Sequence, residues 1–120
     1  MDKKETGYIG EDAVCNYLIK KGCQIICRNF CIRGGEIDII ASDGDFIAFV
    51  EVKTRQENSL TSGLEAVTKS KQKLIIKTAE AYLLKNSISL QPRFDVAEIT
   101  ISDGKPKKIR YIKNAFDASR

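Results

Sequence analysis

Apolar positions recur along this chain in two rhythms, one helical and one extended. Val14, Cys15 and Leu18 repeat at helical spacing, predicting a helix over Gly7–Lys21 that Gly22 stops, because glycine suits the left-handed position after a helix. Asp12, Asn16 and Lys20 form its polar face. Leu74, Ile75, Thr78 and Tyr82 share another helical face, predicting a second helix over Lys69–Lys85 with Thr68 as its N-cap. The β-rich runs are Cys23–Arg28, Glu36–Ala41, Phe46–Thr54, Arg93–Ile101 and Lys107–Ile112. A loop carrying Arg33-Gly34-Gly35 follows the first run. Asp43-Gly44 is a type I′ hairpin signal between the second and third runs, and a turn is expected at Asp103-Gly104 between the last two. The order is α-β-β-β-α-β-β, a mixed sheet of about five strands with helices packed against it. The class is α/β if the strand after the second helix runs parallel to its neighbour, and α+β otherwise.

With 120 residues, 42% of them hydrophobic, the chain can bury a single core, so one domain is expected over residues 1–120. Its longest apolar runs, such as Phe46–Val50, fall far short of the roughly 18 to 20 residues that cross a bilayer. The start, Met-Asp-Lys-Lys-Glu, lacks an apolar signal region. A cytoplasmic protein without membrane contact is expected. Twenty basic and sixteen acidic residues give a net charge of +4, which allows a nucleic-acid partner without requiring one.

Cys15, Cys23, Cys27 and Cys31 raise the question of zinc or disulfides. Cys23 and Cys27 have the parity of one strand face, with Cα atoms about 13 Å apart at ~3.3 Å per residue. That separation is too long for a disulfide or shared tetrahedral ligation, and the chain has no histidine. Buried free thiols are expected.

The acidic residues change the picture more. With Asp43-Gly44 as a two-residue turn, Asp38 faces Phe49 and Glu36 faces Glu51, so Glu36, Asp38, Glu51 and Lys53 share one side of the sheet. Asp38 and Glu51 are then diagonal neighbours about 7 to 8 Å apart at the Cα atoms, close enough to grip one cation. Mg²⁺ suits them, since it takes hard oxygen ligands and keeps waters that can be activated. Carboxylates, lysine and metal together can hydrolyse a phosphodiester. The alternative is a solvated sheet face with a surface ion pair of little energetic value. Glu11 falls in the apolar stripe of the first helix, where a carboxylate is costly unless paired or metal-bound. Otherwise it marks the edge of that stripe and reaches solvent. Lys71 shares a face with Leu74, Ile75 and Thr78, and either supports the site or snorkels over the core edge. Lys69, Lys73 and Lys77 form a separate, solvated stripe.

Nearly the whole chain resembles the YraN-like family of small bacterial proteins described as predicted endonucleases distantly related to archaeal Holliday-junction resolvases. The supporting stretches are Gly10-Glu11-Asp12-Ala13, Tyr17-Leu18, Arg28-Asn29, Gly35-Glu36-Ile37-Asp38-Ile39-Ile40 and Phe49-Val50-Glu51-Val52-Lys53-Thr54-Arg55. Further stretches are Glu65-Ala66-Val67 with Lys71, Ala81-Tyr82-Leu83 and Arg93-Phe94-Asp95-Val96. The resemblance implies a restriction-endonuclease-like core of the PD-(D/E)xK type, with Asp38, Glu51 and Lys53 in the acidic, acidic and lysine positions. Ile37 stands where that motif has proline. Glu11 corresponds to the acidic residue that the resolvase branch carries on its first helix.

The expected activity is hydrolysis of DNA phosphodiesters, with structured or branched DNA as a candidate substrate in repair or recombination. Asp38 and Glu51 would bind Mg²⁺, or Mn²⁺ as a substitute. The Val52 carbonyl would be a further ligand, Glu11 would act through water or at a second position, and Lys53 would position or activate the attacking water. Arg33, Arg55 and Lys71 are candidates for phosphate contacts, because cations, Arg above all, pair with phosphate oxygens. Gly34-Gly35 either lets nucleic-acid backbone approach or supplies turn dihedrals. The alternatives are a binding module on the same fold without turnover, and an RNA nuclease. A homodimer is a candidate assembly by analogy with the two-fold junction.

Overall fold

The computed structural model describes residues 3–58 and 67–118. Its elements are α1 (Lys3–Lys20), β1 (Gln24–Ile32), β2 (Gly35–Asp43), β3 (Phe46–Gln56), α2 (Lys69–Asn86), β4 (Gln91–Ser102) and β5 (Lys105–Phe116). The strands form one sheet in the order β1-β2-β3-β4-β5. Only the β3–β4 pair is parallel, as the α2 crossover between them requires, so the class is α/β with a mixed sheet. Glu65 and Ala66, which contribute to the family resemblance, lie outside the described residues.

Each helix covers one face of the sheet. Beneath α1, Val14, Cys15 and Leu18 pack on Ile39, Ala41, Ala48, Val50, Ala97 and Ile99. Beneath α2, Ile75, Ala79 and Tyr82 pack on Ile37, Ile40, Ile47, Phe49, Phe94 and Val96. In β3 the two sets alternate, Ile47 and Phe49 against Ala48 and Val50, as the two-residue period of a strand demands. The small residues lie under α1, which comes close: a Cβ on Gly10 would stand 2.1 Å from Thr54 Cγ2. Leu74 lies outside the α2 core and is 45% exposed, while Ala79 takes the inner position.

Thr68 caps α2 by accepting from Lys71 N–H at 3.1 Å, and Gly22 follows α1 with φ +92°. The helix α1 begins at Lys3, ahead of the expected Gly7. Strand β1 runs on to Ile32 because β2 pairs with it to the end, although Asn29 sits at φ +55°. The β1–β2 register shifts between Ile25 and Cys27. Cys27 therefore packs on the α2 side and Cys23 on the α1 side, correcting the single face expected for them. All four cysteines are free thiols, and Cys31 is exposed rather than buried.

The two Asp-Gly turns differ. Asp103 and Gly104 both have positive φ, +53° and +75°, and join Ser102 to Lys105 as a type I′ turn does. In the β2–β3 hairpin Asp43 pairs with Phe46, so the turn is Gly44-Asp45 rather than Asp43-Gly44. Gly44, at φ +61°, takes the first central position that a type II′ turn reserves for glycine. Each strand thus slips by one residue relative to the expected register.

Candidate active site

That slip changes which carboxylates meet. The β2–β3 ladder runs from Asp43↔Phe46 to Ile39↔Val50, and one further step sets Asp38 opposite Glu51. The register therefore sets them opposite one another rather than diagonally, just past the last paired residues. Beyond Ile39 the backbone pairing stops, and the Asp38 carboxylate replaces it by accepting from Val52 N–H at 2.8 Å. A strand residue in an antiparallel pair directs its N–H and C=O to the same neighbour, so the Val52 carbonyl faces this gap as well. Burial and the Glu51 charge push the Asp38 carboxyl up to about 7 against the opposing pull of the Val52 N–H, with Glu11 and Glu36 adding to the rise.

Glu36, Asp38, Glu51 and Lys71 line one cleft of about 200 Å³ with Gly34, Gly35, Leu74 and Ile75. Lys71 Nζ lies 3.5 Å from Glu51 Oε2, so this side chain reaches into the cleft from the first turn of α2. Gly34 supplies a turn dihedral at φ +86°. Gly35 serves packing, since a Cβ there would stand 2.1 Å from the buried Thr78 Oγ1. Arg33 is exposed in that turn beside the cleft. Lys53 and Arg55 follow Glu51 on the same face of β3, both half-buried, and neither lines the cleft.

Glu11 arrives from α1, on the other face of the sheet. Its side chain is 13% exposed, and its Oε1 accepts from Arg28 Nη2 and Asn29 Nδ2, each at 3.3 Å. Arg28 also donates to Asp12 at 2.8 Å. Burial works against the Arg28 charge, but these acidic partners outweigh it and hold the guanidinium pKa above its usual value. The left-handed Asn29 lies between Arg28↔Ile39 and Phe30↔Ile37, opposite Asp38. Glu11 thus stands behind Asp38, engaged by a cation of its own.

The donor set suits a hard divalent cation. Two facing carboxylates, one of them held at a raised pKa by burial and then by the other's charge, leave negative charge that the half-exposed Lys71 offsets only in part. Among the described residues no group of three or more His, Cys, Asp or Glu side chains forms a ready-made metal cage. A cation that keeps several waters and needs few protein ligands, as Mg²⁺ does, fits such a pair.

A second polar cluster has its signal in the sequence of β4. Asp95 interrupts an apolar run in β4 and is fully buried, which obliges it to find partners. It accepts from Arg93 Nε and Nη2, from Tyr111 Oη at 2.6 Å and from Asn114 N–H at 2.9 Å. Arg93 also pairs with Asp43 at 3.0 Å. Burial and the Asp95 bond raise the Tyr111 phenol far above its usual range. The left-handed Asn114, at φ +54°, bends β5 so that its N–H can reach the carboxylate.

Fold and site together define a small α/β domain with a paired-carboxylate cleft where two sheet strands part. Residues 10–99 match the uncharacterised protein family UPF0102, and the chain belongs to that family, the one its motifs resemble under the YraN-like name. A UPF0102 protein of Alkaliphilus metalliredigens is 48% identical over 94% of this chain and 98% of its own length. One from Clostridium tetani is also 48% identical, over 94% of each chain. One from Legionella pneumophila is 39% identical over 96% of this chain and 97% of its own. Among the described residues no helix is long and apolar enough to cross a membrane.

Proposed function

We propose that this protein is a metal-dependent endonuclease that hydrolyses DNA phosphodiesters. The observation that carries the reading is the facing pair Asp38 and Glu51 at the point where β2 and β3 part, with Lys53 next on the same strand face. The α-β-β-β-α-β-β order and the mixed sheet are what a PD-(D/E)xK core requires. A bound Mg²⁺, or Mn²⁺ in its place, would be held by Asp38, Glu51 and the Val52 carbonyl, and would supply positive charge to the phosphate and acidify a water. Val52 N–H fixes the orientation of the Asp38 carboxylate. Lys71 holds Glu51 from the α2 side, and the Lys53 ammonium orients the attacking water or receives charge gathering on the phosphate. Glu11 adds negative potential behind Asp38 while Arg28 and Asn29 keep it in place.

The test incubates the full chain with Mg²⁺ or Mn²⁺ and single-stranded, duplex, flap and four-way-junction DNA, with RNA as competitor. Scission is expected on at least one DNA and should be lost in Asp38→Asn and Lys53→Ala. If nothing is cut, or both variants cut as well as the parent, the assignment fails. The engagement of Glu11 by Arg28 favours a second reading, a nucleic-acid-binding module without turnover. That module would bind the same DNAs and leave them intact with either metal.

A further inference from the structure

The cleft does not end the polar part of this face. Helix α2 packs mainly on β2, with its core under Phe49, Phe94 and Val96. Past those residues the same face continues as Lys53 and Arg55 on β3 and as Glu98 and Thr100 on β4. The register extends it onto β5: Lys53 pairs with Glu98 and Glu98 with Arg110, while Arg55 pairs with Thr100 and Thr100 with Lys108. Directly opposed residues share a face, so two rows each run from a cation on β3 to a cation on β5.

The rows border a cleft of about 410 Å³ whose lining includes Arg55, Glu98, Thr100, Lys108 and Arg110. Lys107 and Ser102 at its end are engaged with Glu57, whose carboxyl the Lys107 bond holds below the usual range. Lys108 and Arg110 thus stand in the rows that hold Thr100 and Glu98, on the β5 side of the cleft.

We propose that this half of the sheet is a docking track for the phosphate backbone of duplex nucleic acid, with Lys108 and Arg110 as its outer contacts. From β3 to β5 the rows span about 10 Å, enough to meet a few consecutive phosphates at ~3.4 Å of axial rise each. Among the described residues the lining holds no aromatic side chain on which an unpaired base would stack, so the surface reads backbone charge and favours duplex over single strand. The proposal deepens the nuclease reading by placing the duplex that leads to Asp38 and Glu51. Because its test excludes divalent cations, its failure is distinguishable from failure of the catalytic assignment.

Binding of a short fluorescent duplex is followed by anisotropy in EDTA across a sodium chloride series, with the matching single strand and anionic lipid vesicles as separate arms. The parent should prefer the duplex. The double variant Lys108→Ala/Arg110→Ala should lose about tenfold in affinity and lower the slope of log K against log salt by about 2. Glu98→Gln should tighten binding. The charge-matched Lys69→Ala/Lys77→Ala, from the outer face of α2, should leave the slope unchanged. An unchanged slope in the β5 double variant, an equal loss in the α2 variant, or a loss confined to the vesicle arm would overturn the proposal.

Discussion

Asp38 and Asp95 are both aspartates on inner strands of one sheet, and their surroundings are opposite. Asp95 is wholly buried and receives donors from Arg93, Tyr111 and Asn114, so its negative charge is matched from three directions. Asp38 receives one backbone donor and faces Glu51, with Glu11 and Glu36 adding further negative charge. The first arrangement holds strands together. The second stores electrostatic repulsion that a cation or a proton can release, which is what a reactive site needs and a purely structural carboxylate does not.

The largest test of this contrast is Asp95→Ala. Removing that carboxylate leaves Arg93 buried without its main partner and should cost about 3 to 5 kcal/mol in urea unfolding, somewhat less if Asp43 compensates. A loss below ~1 kcal/mol would mean that Asp95 is no more structural than a surface ion pair.

Mn²⁺ probes the other side. At a hundredfold excess over Kd it should stabilise the parent by ~3 kcal/mol, and it should do nothing for Glu51→Gln. Equal thermal shifts in the two proteins would separate Glu51 from metal binding.

Asp38→Asn keeps an acceptor for Val52 N–H and removes a buried charge together with its repulsion by Glu51, so it should stabilise the fold at pH 8 by about 1 to 3 kcal/mol while abolishing cleavage. The sign follows from the raised pKa. Between its unfolded value near 3.8 and about 7, the fold retains a proton that the unfolded chain has lost. Parental stability therefore falls as pH rises through that window, and the full cost is present above it. The gain from Asp38→Asn should be largest above pH 7 and vanish near pH 4. A gain independent of pH would show that the buried charge of Asp38 is not its origin.

Tyr111→Phe is the smallest change. It removes one of several donors to Asp95 and should cost about 1 to 2 kcal/mol. Its ultraviolet titration should also lack the phenol that ionises last in the parent.

The sequence carried the element order and both helix faces because Val14, Leu18, Ile75 and Tyr82 repeat with a period that burial enforces. It also places Asp38 and Glu51 on neighbouring strands, although its Asp-Gly dipeptide signals a turn one residue earlier than the observed one. A slip of one residue on each strand preserves the parity of opposed faces, so the error changed diagonal partners into direct ones. Gly44-Asp45 prevailed over Asp43-Gly44 through pairing along the whole hairpin, which no dipeptide preference encodes. The tie between Glu11 and Arg28 was illegible for a similar reason. It depends on the shifted register of β1 and the left-handed Asn29, which turn a distant strand toward α1. Asp95 was different, because a lone acid within an apolar strand is a readable signal of a buried network.

The irregularity of β1 has a consequence outside the site. Among the described residues β1 is an edge strand, rich in Ile, Phe and Cys, a composition that invites a foreign strand to pair with it. The displaced register at Ile26 and the reversed twist at Asn29 interrupt that edge within a few residues. On the opposite edge, β5 carries Lys105, Lys107, Lys108 and Lys113. One border of the sheet is thus guarded against self-association by its shape and the other by its charge.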